Sequence, residues 1–436
     1  MNKTVKPVAF YLPQYHQVEE NSLWWGKGFT EWTNVARAKP NFWEHYQPHV
    51  PKDLGFYDLS NVEVMREQAK MAELYGLYGF CFYFYWFNGR RILETPLNNY
   101  IQSNIDFPFC FCWANENWTR TWDGLDKEIL LKQNHNPEDD LNLIRYLIPI
   151  FKDDRYIKVD GKPMFVVYRV DLFPDIKQTV KIWREEAKKA GFEDIHLCAV
   201  QFYGIDDPTQ WGFDAAIEFP PHKFINPENK PVNMPQIANP NFSGGIVDYP
   251  KVVSQALQAR SKDYIWYRGI VPSWDNTARR QDNPHLIINS SPNLYRFWLR
   301  YIVQYSEDAY LEENRFVFIN AWNEWGEGCH LEPDLKNGNA YLEATAKALQ
   351  KLDFDLNEFI SYTALTNSEM KIFVEEYNKA ISLSVLYAQE NRNLNLKLHD
   401  KTSRAYFVKN SIKEKLKNYP KMYKLTRAIY LKVRGK

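Results

Sequence analysis

The sequence has few cysteines, no long apolar run and no net charge, and each of these shortages excludes a class of protein. Only five of its 436 residues are cysteine, and this odd number in apolar surroundings predicts reduced, buried thiols rather than a disulfide framework. No stretch approaches the ~18 uninterrupted apolar residues that a membrane-spanning helix needs. Lysine plus arginine and aspartate plus glutamate are both 54, so the chain as a whole is not a polyanion binder and we expect no nucleic-acid partner.

The chain also lacks recognisable targeting and cofactor motifs. Its first residues, M-N-K-T-V-K-P-V-A-F-Y-L-P-Q-Y-H, contain a short apolar run interrupted by Pro13 and no small-residue cleavage site, which predicts no signal peptide and a cytoplasmic protein. We find no Walker loop, no H-E-x-x-H, no G-x-S-x-G, no calcium loop and no zinc-spaced Cys/His cluster. The sequence therefore predicts neither a metal nor a cofactor.

Aromatic residues make up 16% of the chain, and apolar strand-like segments recur through its first 350 residues. These segments are continuous rather than alternating, as expected for strands covered on both faces. Helical patterns lie between many of them, and one begins at Ser60 with Glu63 three residues on, the spacing of a capping box. We therefore predict a (β/α)8 barrel over residues 1–352; a doubly wound sheet is the alternative, but no G-x-G-x-x-G is present. The predicted strands are Val5–Leu12, Gly79–Trp86, Phe107–Trp113, Met164–Arg169, His196–Phe202, Asp214–Phe219, Gly269–Pro272 and Phe316–Ala321.

Beyond the predicted barrel the composition changes twice. Residues 353–400 have a heptad-like stripe that predicts a helical extension, either packed on the barrel or forming a dimer seam. Residues 401–436 form a basic tail, in which Phe407–Lys436 holds ten Lys or Arg residues against one acid, Glu414. Because aromatic residues interleave with these charges, we expect residues 407–436 to contact an anionic membrane surface peripherally. A solvated tail and a nucleic-acid arm are the alternatives.

The strongest candidate catalytic motif follows the eighth predicted strand and reads F-I-N-A-W-N-E-W-G-E-G-C-H-L-E-P. Glu324 lies there between Trp322 and Trp325, and Glu327 follows two residues after Trp325. The active residues of a barrel sit just beyond the strand ends. Two carboxylates, one protonated and one ionised, are the usual equipment for glycosidic-bond chemistry. Indole faces suit the apolar faces of sugars. We therefore predict Glu324 and Glu327 to be catalytic.

Polar and aromatic residues recur together after several other predicted strands, as expected for a site that binds sugar hydroxyls. The seventh strand end, V-P-S-W-D-N-T-A-R-R, also contains Arg279. The predicted substrate-binding residues are Tyr11, Gln14, His16, Trp25, Glu31, Trp32, Tyr85, Trp86, Asn88, Trp113, Asn115, Glu116, Asn117, Trp118, Arg120, Glu218, His222, Trp274, Asp275, Asn276, Trp322, Asn323 and Trp325.

Several long motifs in the chain resemble those of the WbsX-type glycosyltransferase family. They are A-F-Y-L-P-Q-Y-H, W-W-G-K-G-F-T-E-W-T-N-V, H-Y-Q-P-H-V-P-K-D-L-G-F-Y-D-L, F-P-F-C-F-C-W-A-N-E-N-W-T-R and A-W-N-E-W-G-E-G. That family resembles glycoside hydrolase family 99, which includes endo-α-mannosidases, and the resemblance covers roughly residues 5–352. It implies a (β/α)8 barrel. Cys329 and His330 stand where the mannosidases tend to have Thr and Gln.

The resemblance also implies roles for the two glutamates. Glu324 would take a proton from the sugar 2-hydroxyl, whose oxygen would attack the anomeric carbon, and Glu327 would protonate the leaving oxygen and later activate the acceptor. The implied function is surface-polysaccharide or lipopolysaccharide O-antigen synthesis on α-linked hexose units, with a glycan or lipid-linked oligosaccharide as substrate. An endo-acting α-glycosidase and a non-catalytic glycan-binding barrel are the alternatives.

Overall fold

The computed structural model describes residues 5–120, 125–202 and 204–350, with only the backbone of residues 120 and 125–128. The predicted helical extension 353–400, the basic tail 401–436 and the side chain of Arg120 lie outside the described residues.

Eight parallel strands form a closed barrel in the order β5-β6-β7-β8-β1-β2-β3-β4, and pairing of β4 with β5 closes it. The predicted (β/α)8 fold is therefore confirmed. The seventh strand lies earlier than Gly269–Pro272, because the buried Arg268 interrupts the apolar run there. The strands are β1 Lys6–Tyr11, β2 Gly79–Phe84, β3 Phe109–Trp113, β4 Lys162–Val167, β5 His196–Gln201, β6 Ala215–Glu218, β7 Ile265–Ile270 and β8 Phe316–Ile319.

Helices surround the barrel and follow seven of its eight strands in the described part of the chain. After β5 only a short 3-10 helix, Pro208–Trp211, is present. The cap of α3 is Asn61, whose side chain accepts the Glu63 amide, and not Ser60 as its sequence suggests. The helices are α1 Glu19–Trp25, α2 Glu31–Arg37, α3 Val62–Leu74, α4 Glu94–Gln102, α5 Pro137–Phe151, α6 Ile176–Lys189, α7 Tyr249–Leu257, α8 Pro292–Ala309 and α9 Ala340–Ala348.

The apolar strands are buried on both faces, which explains why their sequences do not alternate. All six residues of β2, G-F-C-F-Y-F, are buried, and so are all five of β3, F-C-F-C-W. Packing this many aromatic side chains between strands and helices gives one continuous core. All five cysteines are buried within it and none forms a disulfide.

Short strands decorate the loops of the barrel. After β8, the strands Asn323–Glu324 and Cys329–His330 form a hairpin. A small sheet has three strands, Gly245–Asp248, His285–Ile288 and Trp274–Asp275. The loop after β7, which contains Trp274–Asp275, brings this sheet next to the hairpin. Among the described helices, none combines the length and apolar character needed to cross a membrane. The other short strands are Trp86–Phe87, Arg90–Arg91, Trp118–Arg120, Leu125–Leu131 and Lys158–Val159.

Candidate active site

The motif predicted to be catalytic forms a tight hairpin at the carboxyl end of β8. Glu324 pairs across it with Cys329, and a 3-10 turn, Trp325–Glu327, connects the two short strands. Gly328 completes the turn with φ +55°, a left-handed conformation that favours glycine. The hairpin presents both glutamates on the same side, with Glu324 buried and the Glu327 side chain 22% exposed.

Arg279 brings three carboxylates together at this hairpin. Its Nη2 donates to Glu324 Oε2 at 2.9 Å, and its Nη1 donates to Glu327 Oε1 at 2.6 Å. Its Nε donates to Oε1 of Glu31, the first residue of α2, at 2.7 Å. Charge-assisted bonds from a planar guanidinium fix both distance and orientation. We call Glu31, Arg279, Glu324 and Glu327 the carboxylate cluster.

Gly326 leaves the space that the carboxylate cluster needs. A Cβ at this position would lie 2.0 Å from Glu31 Oε1 and 3.0 Å from Arg279 Nε. No side chain fits at such distances, so the glycine allows the hairpin backbone to lie directly against the Glu31–Arg279 pair. The W-G-E spacing between the two glutamates therefore has a packing reason.

The electrostatics of the cluster favour retention of a proton. Burial raises the pKa of Glu324 to about 8, although the Arg279 guanidinium opposes this shift. Burial also raises the pKa of Glu327. Burial lowers the pKa of Arg279, but attraction to Glu31, Glu327 and Glu324 more than offsets it and raises that pKa overall. Three carboxylates around one cation leave excess negative charge, which a shared proton reduces.

Two buried polar contacts fasten the hairpin to the end of β1. Tyr15 Oη donates to the Asn323 carbonyl at 2.6 Å and accepts the Trp325 amide at 3.0 Å. The Asn323 side chain accepts the Leu12 amide at 2.7 Å and donates to the Leu12 carbonyl at 3.0 Å. Asn323 is therefore bonded to the backbone, and its side chain holds the hairpin in register with β1.

Another buried carboxyl, that of Glu332, lies behind the hairpin and outside the carboxylate cluster. It accepts hydrogen bonds from Trp325 Nε1 at 2.6 Å, Gln68 Nε2 at 2.6 Å and Tyr57 Oη at 2.8 Å. Burial raises its pKa to about 7, against the effect of these three donors. Its two oxygens are thereby occupied, so Glu332 supports the Trp325 ring from behind.

Asp275 joins the loop after β7 to the loop after α2. Its Oδ2 accepts from Gln47 Nε2 at 2.7 Å and lies 2.6 Å from His45 Nε2. Burial raises its pKa, but the His45 contact outweighs burial and the pKa is lowered overall. Asn276 accepts the His285 amide at 2.7 Å. Both residues thus make contacts that shape the loop carrying Arg279.

Some predicted binding residues near the hairpin have buried polar atoms with no hydrogen-bond partner among the described residues. These atoms are Gln14 Nε2, His16 Nε2, Glu31 Oε2 and Trp274 Nε1. Buried polar groups are usually satisfied, and these four atoms are unfilled although they have almost no exposed area in this structure. The Trp32 ring packs 5.6 Å from that of Trp325 and lies beside these loops.

Other predicted residues make contacts within the protein away from the carboxylate cluster. Tyr11 and Trp86 donate to side chains on surrounding helices, Gln68 and Asp139. Glu218 forms a buried ion pair with Arg268, with 2.7 Å between Oε2 and Nε.

The loop after β3 is organised around Arg169. Its amide and carbonyl bond the Asn115 side chain, and its Nη1 lies 2.6 Å from Glu116 Oε1. Trp113 is fully buried and donates to the Trp86 carbonyl, and Asn117 accepts the Gln133 amide. The remaining predicted residues are spread over several loops. The rings of Tyr85 and Trp118 are 5.2 Å apart, and His222 lies beside Tyr168. Asn88 is exposed, Trp25 is the last residue of α1, and Trp322 is fully buried.

Sequence reasoning missed the central position of Arg279 and the contribution of Tyr15. The sequence places Arg279 after the seventh strand. Nothing in the sequence shows that its side chain bonds Glu31, 248 positions before it, and Glu324 and Glu327, 45 and 48 positions after it. Only closure of the barrel places β1, β7 and β8 side by side.

The structure is a closed (β/α)8 barrel with acidic and indole side chains gathered at the carboxyl end of its strands. The family model described as "Glycosyltransferase WbsX" matches residues 7–345, and the chain belongs to this family.

Two curated relatives are similar to most of this chain. The chain is 44% identical over 358 residues to "Uncharacterized protein WxcX" of Xanthomonas campestris pv. campestris strain ATCC 33913, which covers 82% of this chain and 51% of that protein. The protein of the same name from strain B100 matches equally. The chain thus spans about half the length of these curated relatives.

Two solved structures share the architecture at low identity. A "Glycoside hydrolase-like protein" has a TM-score of 0.50 at 14% identity, covering 80% of this chain and 95% of that one. The GH99 endo-α-mannosidase from Bacteroides thetaiotaomicron has a TM-score of 0.45 at 14% identity, covering 82% of this chain and 98% of that one.

Proposed function

We propose that the protein makes or remodels a surface polysaccharide by chemistry at an α-linked hexose unit, with Glu324 and Glu327 as the acid–base pair. The observation that carries the proposal is the binding of both carboxylates to one guanidinium, Arg279, at the carboxyl end of the barrel. This arrangement holds one oxygen of each carboxyl against the same guanidinium, and burial of the pair favours retention of a proton. One acid and one base at one sugar ring are what a glycosidic bond requires.

The family resemblance suggests how the pair divides the work. Glu324 accepts the proton of the sugar 2-hydroxyl as its oxygen bonds to the anomeric carbon, and Glu327 gives a proton to the departing oxygen. Glu327 then takes a proton from the acceptor hydroxyl, whose oxygen attacks the anomeric carbon and opens the 1,2-anhydro ring. Glu324 returns its proton to the 2-oxygen as the ring opens. Each step conserves protons and the product keeps the original anomeric configuration.

The proton distribution of the free protein differs from that needed at the start of this sequence. Glu324 has a pKa of about 8 and so holds the proton near neutrality, whereas the scheme needs Glu324 ionised. Glu327 has the more exposed side chain and is the one open to a leaving group. We propose that substrate binding transfers the proton from Glu324 to Glu327, and that Arg279 then neutralises the charge left on Glu324.

Glu31 and Arg279 are proposed as positioning residues. Glu31 orients Arg279 through its Oε1. Contacts of a sugar hydroxyl with Glu31 Oε2, or with the unfilled nitrogens of Gln14, His16 and Trp274, require these buried atoms to become exposed when substrate binds. We propose a glycan or lipid-linked oligosaccharide as substrate and a cytoplasmic location for its synthesis, including that of lipopolysaccharide O-antigen.

The decisive experiment replaces the chromosomal gene of the source organism with E324Q or E327Q and analyses surface polysaccharide and lipid-linked intermediates by mass spectrometry. General acid–base groups contribute about 10²–10⁴-fold to rate, so each variant should stop synthesis. E186Q is the matched control, because Glu186 pairs with Arg145 and Lys189 on the outside of the barrel.

Each result has a defined meaning. A glycan stalled at one defined sugar in both variants supports a biosynthetic transferase and names its acceptor. A complete polymer with longer, uncleaved oligosaccharides supports an endo-acting glycosidase instead. A normal glycan profile in E324Q and E327Q would contradict the acid–base assignment.

A further inference from the structure

Two histidines and an aspartate meet in a buried position behind the catalytic hairpin. The Nδ1 atom of His49 lies 2.9 Å from Nε2 of His330, and this Nε2 lies 4.0 Å from Asp334 Oδ2. The three ligand atoms are within 4.8 Å of one another and all three residues are buried. We propose that His49, His330 and Asp334 bind one divalent transition-metal ion, with Zn²⁺ as the fitting probe.

The donor set matches a zinc or iron site. Two imidazole nitrogens and one carboxylate oxygen bind such ions at about 2.0–2.2 Å, which places ligand atoms roughly 3.3 Å apart around a tetrahedral ion. From the observed separations, the two ring nitrogens separate by about 0.4 Å and Asp334 Oδ2 approaches His330 Nε2 by about 0.7 Å to reach that spacing. The His49–Asp334 separation, which is within 4.8 Å, closes by up to about 1.5 Å. Water completes the coordination.

The tautomer of His330 is fixed in the form that a metal ligand needs. Its Nδ1 lies 2.8 Å from the Glu332 carbonyl oxygen, which only accepts, so Nδ1 carries the hydrogen. Nε2 therefore presents a lone pair toward His49 and Asp334. Metal-bound histidines usually donate their second ring nitrogen in this way. The Trp325 ring, stacked 3.7 Å from the His330 ring at 16°, holds its plane.

Two acceptors face one another in this cluster. The lone pair of His330 Nε2 and Asp334 Oδ2 are 4.0 Å apart. Asp334 Oδ2 also accepts from Asn337 Nδ2 at 3.1 Å, and a cation between the two acceptors would stabilise both lone pairs further. One hydrogen on His49 Nδ1 satisfies His330 alone. A cation at the centre of the three atoms satisfies all of them.

The backbone around the site is already joined. Lys52 N bonds the Pro333 carbonyl at 2.9 Å, and Leu335 N bonds the Val50 carbonyl at 2.9 Å. His330 is the cross-strand partner of Asn323, next to Glu324. A bound ion would therefore fasten the base of the catalytic hairpin to the loop after α2. This structural role is independent of the proposed reaction, which has no step at the ion.

The test measures metal content directly in the full chain purified without a polyhistidine tag. The protein is stripped with a chelator, equilibrated with 10 μM Zn²⁺, freed of unbound metal and analysed by elemental mass spectrometry. We expect about one ion per chain for the native protein and at least a tenfold loss of affinity in H330Q and D334N. H285N is the matched control, because His285 is exposed and outside the cluster, and it should retain the ion.

Co²⁺ binding to the native protein provides a second measurement that needs no variant. Visible absorption bands typical of tetrahedral cobalt, displaced by one equivalent of Zn²⁺, would support the site even if a variant failed to fold. A native protein with fewer than about 0.1 ion per chain and no cobalt bands would overturn the proposal, leaving only a His49–His330 hydrogen bond. Equal metal content in H330Q, D334N and H285N would overturn it too.

Discussion

Gly326 is the smallest residue of the site and the one with the least space around it. An added Cβ would lie 2.0 Å from Glu31 Oε1. We therefore expect G326A to separate Glu31 from Arg279, with an overpacking cost of about 1–3 kcal/mol. Activity should fall by about 10²-fold or more, because misplacement of about 1 Å costs that much. Chemical unfolding and product formation measure the two effects.

Gly161 provides the control for this substitution. Unlike Gly326, it has a positive φ, +74°, and nothing lies within 4 Å of an added Cβ; it sits in the turn before β4. G161A should lose stability only through backbone strain and keep normal activity. Normal activity in G326A would show that the Glu31–Arg279 contact is dispensable.

The raised pKa of Glu324 gives a signed prediction for stability. The folded protein holds a proton on Glu324 up to about pH 8, whereas an unfolded glutamate releases it near its ordinary value of about 4.3. The folded state thus binds more protons between these values, so this group destabilises the fold increasingly as pH rises. E324Q, which mimics the protonated form, should be more stable than the native protein at pH 8.5.

Thermal unfolding from pH 5 to 9 measures this effect. The stability difference between E324Q and the native protein should shrink as pH falls toward 5, where Glu324 is protonated in the folded state. Turnover by the native enzyme should fall above about pH 8, because the pair then loses its proton. A pH-independent difference between the two proteins would contradict a buried, protonated Glu324.

Individual residues show how far the sequence could predict the site. Glu324 and Glu327 were predictable because two acids three residues apart, in a segment with two tryptophans, follow a buried strand. Tyr11 was expected near the mouth, but alternation along β1 turns its side chain toward α3, where it bonds Gln68. The cluster of His49 with His330 and Asp334 gave no signal, because 281 residues separate the two histidines. Contacts of such separation depend on barrel closure.

At the level of elements, the hydrogen bonds of Tyr15 join β1 to the catalytic hairpin. Y15F leaves the Trp325 amide and the Asn323 carbonyl unpaired in a buried place, at a cost of about 1–3 kcal/mol. We expect lower thermal stability and a lower kcat, because Glu324 lies between these two backbone groups. Denaturant titration and steady-state assays measure both.

Tyr100 of α4 is the matched control. Its buried hydroxyl donates to the Phe107 carbonyl at 2.7 Å, before β3 and at the opposite end of the barrel. Y100F should lose similar stability without lowering kcat. Equal kcat in Y15F, Y100F and the native protein would show that hairpin attachment does not position Glu324.

Elements with continuous apolar sequence were predicted well, and those shaped by tertiary contacts were not. Strands β1 to β6 and β8 lie within their predicted segments or within two residues of them. The predicted seventh strand began too late in the chain. Arg268 made residues 265–268 look polar, although its side chain is buried in an ion pair with Glu218. Helix α4 has no counterpart among the predicted elements, and Pro96 lies in its first turn, where proline is tolerated.

At the scale of the whole chain, the composition of the basic segment 407–436 predicts membrane binding, independently of the proposed reaction. Ten cationic residues with interleaved aromatics should bind anionic vesicles, with about 1 kcal/mol per charge near the surface. Deleting Phe407–Lys436 should release the protein from vesicles containing phosphatidylserine in a sedimentation assay. Neutral phosphatidylcholine vesicles are the control and should bind neither form. Unchanged binding after deletion would rule out a membrane role for the tail.

The pairing of β1 with β8 has a consequence for biosynthesis. Glu31 leaves the ribosome early, and its partners Arg279, Glu324 and Glu327 follow roughly 250–300 residues later, after about 15–60 s at ordinary translation rates. Until then the edge of β1 lacks its β8 neighbour and the apolar strands have no closed core. The nascent chain therefore has an unpaired sheet edge during most of its synthesis, the condition in which chaperones bind. A message truncated before β8 would yield a polypeptide with no active site and a permanent edge for aggregation.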